Sequence, residues 1–119
     1  MKSIKKYYNI EEFKKLNEAE KTLVQLIYRT PEKINQLIDT DILVIDQIVW
    51  DSDYNDFIKA LKHFDINKVI FACNWSSSLG LLMTLLENDF IIDNTIIYYK
   101  EKTFSGRIET KKGIKLIRK

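Results

Sequence analysis

The stretch from Lys68 to Lys100 constrains this chain more than any other. It reads KVIFACNW, then SSSLGLLMTLLEN, then DFIIDNTIIYYK: a buried strand, a helix opened by three serines, and a second strand. From Ser76 to Glu87 the only charged side chain is Glu87 itself. A helix on a protein surface normally sets a charged face opposite its apolar one, and this one has none. At 100° per residue, Leu79, Leu82, Met83 and Leu86 share one face while Leu81 and Leu85 point roughly the other way. The helix therefore calls for cover on both sides, by its own sheet and by something else. Leu81 and Leu85, with Trp75 and Ser77 at the helix entrance, are the expected partner contacts.

The rest of the chain supplies the sheet and the helices around it. Asn9 and Glu12 fit a capping box with Tyr8 and Phe13 as a hydrophobic staple, which predicts a surface helix from about Ile10 to Glu20. Leu23–Arg29 (LVQLIYR) reads as a strand. Thr30-Pro31-Glu32 is a helix start, with an N-cap hydroxyl, proline at the first position and an acid near the positive end of the dipole; that helix ends near Asp39. Ile42–Trp50 (ILVIDQIVW) is dense enough in apolar residues to be a strand buried on both faces. Asp53 or a neighbour caps a helix whose Tyr54, Phe57, Ile58, Leu61 and Phe64 follow the i, i+3, i+4, i+7 spacing, with Lys59 and Lys62 outward. Asp65-Ile66-Asn67 turns into the strand Val69–Asn74. Thr95–Lys100 is a strand, Ser105-Gly106 and Lys112-Gly113 are turn signals around Arg107–Thr110, and Ile114–Arg118 is the last strand. Strands alternating with helices mean a parallel core of β-α-β crossovers. The expectation is an α/β fold with a mixed sheet of about five strands, C-terminal antiparallel edge strands, and helices packed on the sheet.

At 119 residues the chain is expected to form one domain, residues 1–119, with a single core. No run approaches the ~18 apolar residues of a membrane span, and MKSIKKYYNIEEF lacks the apolar core of a signal peptide. The single cysteine, Cys73, cannot form an internal disulfide and reads as a small buried hydrophobe in a reducing, cytoplasmic setting. The net charge of +2 hides a block layout: residues 1–29 carry +3, residues 30–67 carry −5, and residues 68–119 carry +4. An acidic middle and a basic end can face different partners or each other.

Each chemical reading competes with a structural one. Asn74-Trp75-Ser76-Ser77-Ser78 follows a strand, where an α/β sheet places ligands, and helix N–H groups with serines could hold an anion; N-capping by Ser76 or its neighbour needs no ligand and is the favoured account, and the glycines of a phosphate loop are missing. Ser78-Leu79-Gly80 is half of a nucleophile elbow without its first glycine, and the only histidine, His63, lies on a structural helix. One Cys and one His cannot build a zinc site. Asp39, Asp41, Asp46, Asp51, Asp53 and Asp56 cluster about the second strand, and Asp46, inside ILVIDQ, needs a partner. Asp93 with Glu109-Thr110-Lys111 has the outline of a metal-dependent nuclease motif, yet alternating Arg107, Glu109 and Lys111 is also the charged solvent face of an edge strand. No residue is assigned a catalytic or metal-binding role, and no cofactor is called for.

Near the start KYYNIEEFKKLNEAEKT, in the middle VWDSDYNDFIKALKHFDINKVIF, and then NWSSSLGLLMTLLENDFII together resemble an uncharacterised family of small α/β proteins from Gram-positive bacteria and their mobile elements. The residues that match most closely are Tyr8, Phe13, Trp50, Tyr54, Phe57, Trp75 and Ser76. The resemblance implies a compact α/β module and carries no functional residue across; the mobile-element setting it implies favours an inhibitor of host defence.

Two classes of function follow. The first is a non-enzymatic protein-binding module, for example a mobile-element inhibitor of a host defence nuclease (anti-CRISPR-like) or an immunity-type protein, acting on a protein partner through the apolar helix and an adjacent charged surface. The second is a nucleic-acid-binding or processing domain using Tyr99, Lys100, Lys102, Arg107, Lys111 and Lys112, which mix an aromatic with cations as strand-tracking surfaces do. A homodimer joined through Leu81 and Leu85 is a third reading. A membrane partner is not expected.

Overall fold

The computed structural model describes residues 10–33, 42–74, 78–103 and 105–118. A short helix α1 (Ile10–Lys14) leads into α2 (Glu18–Lys33), then come β1 (Ile42–Ile45), a 3-10 turn at Asp51–Asp53, α3 (Tyr54–His63), β2 (Lys68–Phe71), α4 (Leu79–Glu87), β3 (Phe90–Lys102) and β4 (Ile108–Arg118). The sheet is mixed and has four strands in the order β1-β2-β4-β3. β1 and β2 are parallel, joined by α3; β4 runs antiparallel to both β2 and β3.

The expected fifth strand is a helix. Leu23–Arg29 lies inside the 16-residue α2, which starts afresh after α1 where the sequence predicts one helix from about Ile10 to Glu20; its N-terminus is held by a reciprocal box eight residues further along than Asn9 and Glu12. The Glu20 N–H donates to Asn17 Oδ1 (2.8 Å) and the Asn17 N–H to Glu20 Oε1 (3.2 Å), satisfying two donors that a helix start leaves open. From there Ala19, Leu23 and Leu26 recur at helical spacing and are all buried, with Gln25 exposed between them. β-branched propensity in LVQLIYR yields to that tertiary stripe. α2 also runs through Thr30-Pro31-Glu32 to Lys33, so that triplet does not begin a helix. The Asn9 part of the expected capping box and the segment ending at Asp39 lie outside the described residues.

Two packed layers follow. On one face of the sheet Leu43, Ile45, Val69, Phe71 and Leu116 meet Leu23 and Leu26 of α2, Phe57 and Leu61 of α3, and Leu81 and Leu85 of α4. On the other, Ile42, Val44 and Ile70 pack with Tyr99, and Ala72 and Ile97 close the margin. All four residues of β1 are buried, alternately in the two layers; the expected strand to Trp50 stops at Ile45, and Ile48 and Trp50 beyond it are exposed.

The C-terminal hairpin is longer than the rest of the sheet. β4 pairs with β2 only from Ile114 to Ile117, whereas its pairing with β3 runs from Arg118 out to Ile108. Gly106 makes the turn with φ +87°, and the Thr103 N–H donates to the Arg107 carbonyl at 2.7 Å to close it. Lys112-Gly113 is not a turn. Gly113 sits inside β4 where the strand presses on β2: a Cβ there would stand 2.6 Å from Ile70 Cγ2 and 2.8 Å from the Phe71 carbonyl oxygen. Glycine is required by that approach and not by a bend.

Candidate functional site

Three places on this frame hold the chemistry the sequence singles out: α4, the outer half of the hairpin, and the cleft between that half and the carboxyl ends of β1 and β2.

α4 has its faces exchanged relative to the sequence expectation. Leu81 and Leu85 are 2% and 0% exposed and belong to the main core, so they are not available to a partner or a symmetry mate. Leu79, Met83 and Leu86, at i, i+4 and i+7, are 58%, 52% and 41% exposed, and Leu82 packs partly against the core. The sequence is apolar on both sides of the helix, so periodicity alone could not say which side meets the sheet. Contact with α3 selects it: Gly80 lies against Tyr54, whose hydroxyl would be 3.1 Å from a Cβ there. Ser78 is the N-cap residue and makes no side-chain capping bond; Trp75 and Ser77 lie outside the described residues.

The outer hairpin divides the expected nucleic-acid set. Tyr99 is 4% exposed, folded into the second core layer over Val44 and Ile70, and so is not a surface aromatic; its neighbour Tyr98 is 61% exposed. Lys100, Lys102, Arg107, Lys111 and Lys112 are all exposed. Strand alternation and the register Tyr98↔Lys112, Lys100↔Thr110, Lys102↔Ile108 put Tyr98, Lys100, Lys102 and Lys112 on one face. Lys111 is on the other, where Glu109 takes it at 3.5 Å and Arg107 at 3.0 Å. Lys100 Nζ donates to Thr110 Oγ1 at 2.7 Å.

Beyond Phe71 the hairpin continues while β2 stops, and a cleft of about 610 Å³ opens there. Asp46, Ala72, Cys73 and Asn74 form its floor, with Tyr98, Lys112 and Gly113 on the hairpin side. Asp46 is half-buried at the end of β1, with its Oδ1 closed off from solvent. Burial, with the nearby Asp46 charge adding to it, pushes the Cys73 thiol up to about 12. The thiol donates to the Ile45 carbonyl at 3.4 Å. A neutral, hydrogen-bonded thiol is a poor nucleophile.

The other constellations come apart. Asp93 ion-pairs with Lys115 at 3.4 Å, while Glu109 and Lys111 lie four to six residues further out along β4, on the order of 13–20 Å at strand rise. The nuclease outline is not assembled. Among the described residues no three His, Cys, Asp or Glu side chains group as a metal site would. His63 is exposed and stacks edge-on against Phe64, ring centroids 4.9 Å apart.

These features define a small mixed α/β protein with an open apolar helix face and a projecting charged hairpin. Residues 27–118 match DUF7698, a domain of unknown function, and the chain belongs to that family. The match agrees with the resemblance to an uncharacterised family. No curated protein and no solved structure matches the chain. Among the described residues no helix is long and apolar enough to cross a membrane.

Proposed function

We propose that this chain is a non-enzymatic binding module that recognises another protein through the outward face of α4. The observation that carries the reading is the exposure of Leu79, Met83 and Leu86 in one stripe on a helix that bears no lysine or arginine. An exposed apolar row of this kind is the form in which helices enter apolar grooves or receive a partner's anchors. Glu87 and Asp89, both exposed at the C-terminal end of the helix, favour a partner whose rim is basic. An inhibitor, whether immunity-type or anti-CRISPR-like, is a role of this kind and needs no reacting group on the chain.

The test is capture of partners by the native chain, compared with a Leu79→Glu, Met83→Glu double variant, in low salt and in about 0.5 M salt. The reading expects a protein held in both salts and lost with the double variant, whose fold is unchanged because both positions are exposed. Equal capture by both chains would overturn it.

A second reading, nucleic-acid binding by the outer hairpin, is favoured by one observation: Tyr98, Lys100, Lys102 and Lys112 share an exposed face. It expects binding to single-stranded DNA or RNA that weakens steeply with salt and loses slope in a Lys102→Ala, Lys112→Ala variant.

A further inference from the structure

We propose that the open edge of β4, Ile108–Lys112, pairs antiparallel with the same edge of a second copy of this chain, about a twofold axis at Thr110. This surface is separate from the α4 stripe, and the inference does not depend on that reading.

Among the described residues the sheet is incomplete at this edge. β2 accompanies β4 only as far as the Phe71↔Ile114 pair, and from Gly113 to Ile108 the described strands cover β4 on the β3 side alone. Which backbone groups face the vacant side follows from two hydrogen bonds. The Arg118 N–H donates to the Asn67 carbonyl at 2.7 Å, toward the β2 side. The Arg107 carbonyl accepts from the Thr103 N–H at 2.7 Å, toward the β3 side. Residues alternate between neighbours along an antiparallel strand, so the even-numbered residues Ile108, Thr110 and Lys112 aim both N–H and carbonyl toward the β2 side, where no described strand accompanies them. An exposed row of this type is a template for strand addition.

The side chains select the occupant. With the axis at Thr110, the pairs across the new interface are Ile108 with Lys112, Glu109 with Lys111, Thr110 with itself, and the reciprocals. Each even residue meets an even residue, so all three residue types that point outward form directly hydrogen-bonded pairs. Glu109 and Lys111, which lie on one face 3.5 Å apart within a chain, each meet the opposite charge across the axis as well. On the other face Ile108, 64% exposed, gains the aliphatic stem of Lys112 and stands one strand away from Tyr98, 61% exposed. An in-register parallel pairing would set Lys111 on Lys111 and Lys112 on Lys112, which opposes it. The antiparallel register at Thr110 uses Ile108–Lys112 and stops one residue short of Ile114, where β2 pairs with β4.

The charge pattern supplies a test that separates this edge from every other surface. Wild-type chain is examined by sedimentation equilibrium from about 1 µM to about 1 mM, the range in which a short strand-to-strand interface associates. The expected result is a concentration-dependent dimer of the 14.1 kDa chain. Glu109→Lys alone and Lys111→Glu alone each set like charges opposite at two positions and raise Kd roughly tenfold. An equimolar mixture of those two variants restores dimers, because each now carries the other's complement. Thr110→Pro removes the central outward N–H without touching the β3–β4 ladder and abolishes the dimer; circular dichroism checks that the hairpin persists, and the charge variants stand without it. A chain that stays monomeric to about 1 mM overturns the proposal. So does a dimer that Met83→Glu dissolves and Glu109→Lys does not, or a mixture of the two charge variants no more dimeric than either alone.

Discussion

The two halves of the β3–β4 hairpin are made of similar residues and held by different forces. In the inner half Leu116 is fully buried and Phe90 is 1% exposed, both within the main core. In the outer half Ile96 and Ile108 are 56% and 64% exposed on the same two strands. Backbone pairing is continuous through both, interrupted only by irregularities on β3 between Ile92 and Ile97. Ladder hydrogen bonds therefore set the shape of the hairpin, while burial decides where it is strong. Beyond Tyr99 and Ile97, which pack with Val44 and Ile70, the outer half is an exposed two-stranded ribbon, marginal alone, so it is the part of the molecule that another surface can most readily cover.

The contrast can be broken from the inside outward. Leu116→Ala removes a fully buried side chain and should cost about 3 kcal/mol in urea unfolding; a loss under about 1 kcal/mol would mean the inner half is not anchored by the core. Gly113→Ala lies at the boundary and should cost about 2 kcal/mol, since the added methyl meets the Phe71 carbonyl and Ile70 and forces β2 and β4 apart. A neutral effect there would show that the strands have room to separate.

Cys73, at the same boundary, gives a smaller and pH-dependent signal. Its thiol is raised from 9.0 to about 12 in the folded chain, so above pH 9 the unfolded state releases the proton more readily than the folded one. Stability from this group is intact below the ordinary thiol pKa and falls as pH rises toward the folded value. Wild type should lose less than about 1 kcal/mol by pH 10 relative to Cys73→Ala, the figure reduced by partial solvent exposure. Parallel stability curves for the two chains from pH 8 to 10 would show that the thiol is not held neutral. Smallest of all, Ile108→Ala in the outer half should change stability by no more than about 0.5 kcal/mol, and a loss like that of Leu116→Ala would erase the distinction between the halves.

Much of the fold was readable in the order of residues. The spacing of Tyr54, Phe57, Ile58 and Leu61 marks α3, and Phe57, Ile58 and Leu61 are buried as that spacing requires. Ile42–Trp50 and Val69–Asn74 each contain one of the two parallel strands but overrun it, since β1 ends at Ile45 and β2 at Phe71, and the turn at Ser105-Gly106 marks the hairpin. The site residues were less legible. The exposed lysines on the hairpin stood out in the sequence, but adjacent tyrosines look alike in a string of letters, and only strand alternation sends Tyr99 inward and Tyr98 outward.

What the sequence determined by itself is whatever depends on neighbours within one element: helix α3, the buried strands, the turn at Gly106, and the absence of a charged face on α4. What the tertiary structure decided is everything set by contacts between distant segments. LVQLIYR is a helix because Ala19, Leu23 and Leu26 have a sheet to cover. Gly113 is a point of close approach because β2 runs beside it. α4 buries Leu81 and Leu85 and leaves Leu79, Met83 and Leu86 outside because the core lies on that side. A residue pattern specifies which faces are apolar; the direction from which a neighbouring element arrives specifies which of them is closed.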